Sequence, residues 1–467
     1  MWSVFRSTDS CQLPRRELLR IGGLSLLGLG AGGLAQLHAA QGTQPPPKSV
    51  VFLFLFGGPS QIDLWDMKPH APANIRGEFK PAATAVPGIH VCQHLPRLAA
   101  QMDKICLLRS MTHNMNVHGP ACSEVYSGRE YFTAPVTDQA LPDDWPSLSA
   151  MTMRYGQHRP GLPCSVVLPW YLQFPGQARR IAGQTGGRMG EQHNAMLIQG
   201  DSEKREFRVD GLKMRNNVPI SRIENRRELL AQIQTRSGQN KLYGSVADDF
   251  GQHRRRAYSL LKHQAGELLD LKRESEKTRA TYGDTMVGQS LLMARRLVES
   301  GVSLVTVNWE DETKIDGVNT CWDTHQDNFS KLKNLLCPIF DQAFPAFIED
   351  LDQRGLLEST LVVAIGEFGR TPQMGQFSQS SNTRKTGRDH WPHAFTALLA
   401  GGGVQGGQVY GKTNPHGAFV ETDPVSPADL SATILSYLGI NPQLEYVNEI
   451  RDMTHPLSPG RPLEIVG

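Results

Sequence analysis

Apolar residues in this chain come in short unbroken runs, each ended by glycine or by charge. Val50 to Phe56 reads Val-Val-Phe-Leu-Phe-Leu-Phe and stops at Gly57-Gly58-Pro59-Ser60; Thr360 to Ile365 is equally apolar and stops at Gly366-Glu367. Lys104 to Leu108, Val302 to Val307 and Phe395 to Ala400 repeat the pattern. Runs without polar alternation, rich in β-branched residues, suit strands covered on both faces, as in a parallel sheet wrapped by helices. The segments between them carry the helical period. Met286 to Ser300 brings Leu291, Leu292, Ala294, Leu297 and Val298 onto one side, and Phe340 to Arg354 forms another helix. Ser426 to Leu438 is a third, with Pro427 in its first turn and Gly439 at its end. Pro120 and Gly128 bracket a fourth, which puts His118 just before a helix N-terminus. The predicted class is α/β.

Between about 129 and 282 this rhythm loosens into Pro- and Gly-rich loops with two helical segments, Ile220 to about Thr235 and about Val246 to Thr278. The second is studded with Arg and Lys, as a solvated helical face is. This region is expected to be an insertion that shapes a substrate pocket.

Chemistry gathers where the strands end. In an open α/β sheet ligands sit in the crevice beyond the strands' carboxyl ends. Asp63 follows the first run, Asp323 and His325 follow Val302 to Val307, and Glu367 and Arg370 follow the run ending at Ile365. Asp389, His390 and His393 come soon after, and His113 and His118 precede the helix at Pro120. Asp323 and His325 alternate about Thr324, so an extended loop points both the same way. Carboxylate with imidazole is a ligand set for zinc, manganese or iron.

Composition adds little to this. Forty-eight Lys and Arg against 46 Asp and Glu leave a net charge of +2, and no bias toward nucleic acid or a membrane surface. The N-terminus says more. Arg15-Arg16 precedes a Gly-interrupted apolar segment from Ile21 to Leu37 that ends near His38-Ala39-Ala40, the pattern of a twin-arginine export signal. Residues 1–40 are therefore expected to be removed, 41–48 to be a proline-rich linker, and the periplasm or exterior to be the destination, with no stable membrane span after processing. Cys92, Cys106, Cys122, Cys164, Cys321 and Cys337 remain, in a compartment that permits disulfides; the spacings do not choose among pairings. Gly406 to Thr413 matches a phosphate-loop pattern, but Asn414-Pro415-His416-Gly417 follows where a helix must begin, so nucleotide binding is set aside.

Several of these segments, taken together, resemble the domain-of-unknown-function 1501 family, sulfatase-like proteins of the alkaline phosphatase superfamily. They are Gly57-Gly-Pro-Ser-Gln-Ile-Asp63, the His113/His118 segment, Ala294-Arg-Arg-Leu-Val-Glu-Ser-Gly-Val302, Trp322-Asp-Thr-His325, Gly366-Glu-Phe-Gly-Arg-Thr-Pro372, Gly387-Arg-Asp-His390 and Ala400-Gly-Gly-Gly403. The resemblance implies a doubly wound, mostly parallel sheet flanked by helices, alkaline phosphatase-like, over residues 49–467. It also implies a one- or two-metal hydrolytic site at the strands' carboxyl edge.

Asp63, Asp323, His325, Glu367, Asp389, His390 and His393 are then the expected ligands of a divalent metal: zinc first, with manganese, iron or calcium as alternatives. Two departures stand out: Asp63 lies beyond Gly-Gly-Pro-Ser, and Gln61 occupies a position where the family shows His. The register of a sulfatase's modifiable cysteine falls on His118, so a formylglycine mechanism lacks its starting residue. That leaves attack by metal-activated water, with His118 or His113 moving protons and Arg370 meeting the substrate's anionic group, or attack by His118 itself. The expected function is an exported metal-dependent hydrolase of phosphate or sulfate esters, small or polymeric. The alternative is a non-catalytic relative that binds a sulfated or phosphorylated envelope polymer. Oligomeric state is left open.

Overall fold

The computed structural model describes residues 47–131, 140–159, 161–174, 180–209, 265–310, 321–378, 383–448 and 453–466, with isolated helical positions between 222 and 232. Its frame is an eight-stranded sheet. In chain order the strands are β1 (Ser49–Leu55), β2 (Ile105–Met111), β3 (Ser165–Leu168), β4 (Met196–Leu197), β5 (Leu304–Trp309), β6 (Thr360–Ile365), β7 (Phe395–Ala400) and β8 (Gln408–Tyr410). Across the sheet they lie β8-β2-β7-β6-β1-β5-β3-β4. Neighbours pair in parallel except at β7, which runs against both β6 and β2.

Helices cover both faces, and the side chains of β1 show why its run has no polar positions. Val51, Leu53 and Leu55 point into an apolar cluster with Leu291 and Leu297 of α3 (Met286–Ser300) and Phe340 and Phe344 of α4 (Cys337–Gln353). Val50, Phe52, Phe54 and Phe56 point the other way. There they meet Cys122 and Val125 of α1 (His118–Ser127), Met151 of α2 (Leu148–Tyr155) and Leu430 and Ile434 of α5 (Pro427–Tyr437). β6 divides its residues in the same way, Val362 and Ala364 to the first layer and Leu361, Val363 and Ile365 to the second. Each fully buried Val, Leu or Phe contributes roughly 1.5–3 kcal/mol of transfer free energy, so neither strand tolerates a charge before its end. The sheet is doubly wound and mostly parallel.

Local signals stop and start the helices where the periodicity places them. The Thr285 hydroxyl accepts from the Gly288 N–H at the head of α3, and Gly301 ends it in the left-handed region. Ser426 and Asp429 form a capping box at the head of α5. α1 begins at His118 itself, two residues earlier than the position of Pro120 suggests, and ends at the left-handed Gly128.

Two strands of the sheet, β3 and β4, come from inside the stretch expected to be an insertion. At four and two residues they are too short to stand out among prolines and glycines. The described part of the expected Val246–Thr278 helix is broken: Ala265–Leu269 is helical, then Asp270 and Ser275 each cap a new turn. The rest of that helix, most of Ile220–Thr235, and the export signal lie outside the described residues. Among the described residues no helix is long and apolar enough to cross a membrane. The phosphate-loop look-alike is β8 followed by a short ladder, Lys412–Thr413 against Val420–Thr422, with Lys412 Nζ 3.2 Å from Glu421.

Candidate metal centre

β6, β1 and β5 lie side by side at the middle of the sheet, and their carboxyl ends build one cluster. β1 runs into Gly57, whose φ of +109° suits glycine and brings its backbone against Trp322 and Asp323. The segment after β5 returns at Cys321–His325, where Trp322 N–H donates to the Phe56 carbonyl at 3.0 Å. β6 runs into Glu367, and a short ladder sets Arg370 opposite His390. α1 supplies His118 from its first position, on the segment that follows β2.

In this way His118, Asp323, His325 and His390 converge, each offering one ligand atom, with all four atoms within 4.8 Å of one another. The three imidazoles reach the Asp323 carboxylate with the same nitrogen. Nε2 lies 3.2 Å from Oδ2 for His118, 2.9 Å from Oδ1 for His325 and 3.3 Å from Oδ1 for His390. Nδ1 of each is tied outward: His118 to Glu367 Oε1 at 2.5 Å, His390 to the Asn116 carbonyl at 2.8 Å, His325 to the Thr383 hydroxyl at 3.0 Å with Asp389 Oδ1 at 3.6 Å. An acceptor holding Nδ1–H fixes the tautomer and turns the Nε2 lone pair inward, which is how metal-binding histidines are oriented. His118 Nε2 is buried and lacks a well-formed hydrogen bond. Lone pairs aimed at a carboxylate need a cation between them.

The electrostatics agree. Burial opposes protonation of His118, but the carboxylates of Asp323 and Glu367 outweigh it and raise its pKa to about 9. Burial, reinforced by the charge on His118, lowers His390 to about 3, so this ring stays neutral. Burial works against the Asp323 carboxylate, yet Arg370 and His118 hold it well below the usual range. A proton on His118 therefore stands where an ion held by these four groups would sit, and binding such an ion would release it. Three nitrogens and one carboxylate suit zinc, iron or manganese. Calcium, which takes roughly six to eight oxygen ligands, does not fit this donor set.

The remaining candidates surround the cluster or lie apart from it. Glu367 is fully buried and accepts from Gly57 N–H at 2.9 and 3.1 Å as well as from His118, so it orients the His118 ring. Asp389 accepts from the backbone of Ser378 and His390, both at 2.8 Å, and stands behind His325. Arg370 is fully buried. Its guanidinium donates to the carbonyls of Gly57, Gly58 and Arg388 and pairs with Asp323 Oδ1 at 2.6 Å, so it neutralises the cluster and is not free to meet a substrate anion.

Both nitrogens of His113 are engaged by backbone. Nε2 bonds the Glu367 carbonyl at 2.6 Å, Nδ1 accepts from Met115 N–H at 3.0 Å, and burial lowers the pKa to about 4. His113 thus braces Glu367, and its single N–H is committed to that carbonyl. His118, expected to move protons or attack, sits instead as one of the converging groups.

Asp63 is not among them. It forms a buried two-pronged pair with Arg388, at 2.8 and 2.9 Å, and also accepts from Ser60 and Asn328. The Gly-Gly-Pro-Ser spacer that separates it from β1 carries it past the cluster. His393 lies beyond Pro392 and packs against Trp391 and Phe419. Arg388, Thr383 and the Asn116 carbonyl were not singled out by sequence. Arg388 sits in a motif whose acid and imidazole drew attention first, and a carbonyl has no sequence signature.

A family model described as "Protein of unknown function (DUF1501)" matches residues 47–464. No curated protein matches the sequence. Among solved structures, the chain is similar to the PsFucS1 sulfatase from Pseudoalteromonas sp., at 11% identity and TM-score 0.39 over 93% of this chain and 73% of that one. It is also similar to a protein in the alkaline phosphatase superfamily from Vibrio parahaemolyticus, at 12% identity and TM-score 0.38 over 85% and 68%. A third is the alkaline phosphatase from the Antarctic bacterium TAB5, at 11% identity and TM-score 0.36 over 85% and 99%.

Proposed function

The chain belongs to the DUF1501 family, of unknown function by its own description, and from the site itself we propose an exported metal-dependent hydrolase of phosphate or sulfate esters. The observation that carries the proposal is the inward aim of three imidazole Nε2 atoms at one carboxylate, each ring anchored behind. His118, Asp323, His325 and His390 would hold the ion, zinc being the first choice. When bound, such an ion supplies a Lewis acid that polarises an ester oxygen and brings the pKa of water toward neutrality.

The protein's own contribution is orientation and charge. Glu367 fixes His118, and the Thr383 hydroxyl, with Asp389 behind it, fixes His325; Arg370 offsets the charge of Asp323 and pins it to the turn after β1. Of the four converging side chains His118 is the most open, at 11% exposure against 7% for Asp323 and 4% for each of the others, so substrate approaches over its ring. With both of its nitrogens held by backbone, His113 would not take the proton of an attacking water.

The test is metal analysis of the purified chain beside assays with 4-nitrophenyl phosphate and 4-nitrophenyl sulfate. Near-stoichiometric transition metal, with turnover of one ester lost both to a chelator and in His390→Ala, is the expected outcome. Bound metal with no turnover of either ester, or turnover that survives His390→Ala, overturns the hydrolase.

A further inference from the structure

Away from the metal centre, two buried cysteines face each other. We propose that Cys92 and Cys337 close a disulfide when the chain folds in an oxidising environment, joining the ladder that precedes β2 to the first residue of α4. Cys92 ends the strand His90–Cys92, which pairs with Pro81–Ala83, and Cys337 opens α4. Both are fully buried in the same apolar cluster. Each is a free thiol, and Cys92 is the side chain that acts most strongly on Cys337.

The backbone on either side is anchored without any help from a covalent bond. Leu95 N–H donates to the Cys92 carbonyl at 2.9 Å. Arg97 and Leu98 N–H then donate to the Asp341 carboxylate, one turn along α4 from Cys337, at 3.0 and 2.8 Å. Other cysteines face different groups: Cys164 the Gln157 carbonyl and His158, Cys321 the Trp309 carbonyl, Cys106 the backbone of Tyr410.

The reaction is thiol–disulfide exchange with a protein or small-molecule disulfide as oxidant. One cysteine thiolate attacks the oxidant, the other displaces it from the mixed disulfide, and the oxidant leaves as two thiols carrying the two electrons and two protons. One S–S bond forms in the chain where two S–H bonds were. The interaction with Cys92, then burial, raises the Cys337 thiol, so the closed native state supplies little thiolate. The bond therefore forms as the segments close, and once buried it is shielded from reductant. It spans 337 − 92 = 245 residues of chain, a loop long enough to raise the melting temperature by about 5 °C in a protein of this size.

The test uses the full chain, unfolded and refolded in parallel with a glutathione disulfide buffer or with a phosphine reductant, which adds no competing thiol. Free thiols are then blocked with N-ethylmaleimide in denaturant and the unreduced digest is read by mass spectrometry. The expected result is a peptide pair joined at Cys92 and Cys337 in the oxidised sample only, with the other cysteines blocked and a melting temperature about 5 °C above the reduced sample. Both cysteines blocked after oxidation, or either one joined elsewhere, overturns the proposal. The double variant C92A/C337A, checked for its fold by circular dichroism, should melt at one temperature in both buffers. If it keeps the difference, the stabilisation belongs to another bond and the proposal fails.

Discussion

Glu367→Gln separates the two roles of the carboxylate behind His118. Glu367 Oε1 lies 2.5 Å from Nδ1, at the short end for a charge-assisted hydrogen bond. Such bonds are worth about 1.5–3 kcal/mol, and loss of a carboxylate behind a metal-binding histidine typically costs about 10–100-fold in affinity, which is the same size. Glu367 also supports the proton that competes with the metal. With His118 at about 9, displacing that proton at pH 7 weakens binding by about 100-fold, two units at tenfold each. The variant binds the proton less well too, so part of the loss at pH 7 is returned.

The sign follows directly. Wild-type affinity should rise about tenfold per pH unit from 7 until it levels near 9, because below the raised pKa a proton must leave before the ion binds. At pH 9.5 Glu367→Gln should lose about 10–100-fold, and at pH 7 distinctly less. A zinc titration in chelator buffers at both pH values reads this. An equal loss at both, or none at pH 9.5, refutes the reasoning.

Asp63→Asn should lower the melting temperature by about 3–5 °C, since breaking a buried ion pair costs roughly 3–5 kcal/mol in a chain this long; the metal content should not change, and its loss would return Asp63 to the ligand set. Gly57→Ala should cut metal affinity more than about tenfold, because a Cβ there collides with the backbone of Trp322 and Asp323 on top of the strain of its positive φ. Gly88→Ala is the control: its φ of +88° carries the strain, yet the added Cβ meets nothing within 4 Å, so an equal effect at both positions would remove the collision argument.

The layers of the fold were legible because burial on both faces leaves a strand no polar position, as in β1 and β6, and because Pro427 and Gly128 mark helix ends in the chain itself. The direction of β7 was not, since an apolar run reads alike in either sense, and β3 and β4 were too short to carry a pattern. At the site, Asp323, His325 and His390 were legible as acid and imidazole at strand ends. The division of labour was not. A carboxylate at a strand's end looks the same whether it faces an ion, as Asp323 does, or props up an imidazole, as Glu367 does. Arg370 and Asp63 were misjudged for the same reason: their partners are carbonyls and an arginine far along the chain, and sequence order hides both.

The three anchors behind the imidazoles are unlike: a carboxylate for His118, a peptide carbonyl for His390, and a hydroxyl with a carboxylate farther off for His325. A carboxylate draws the Nδ1 proton hardest, so His118 gains the most imidazolate character and donates most strongly through Nε2. An ion held by these four groups would therefore meet three unequal imidazoles, and His118, which is also the most open of them, would be the one most sensitive to what stands behind it.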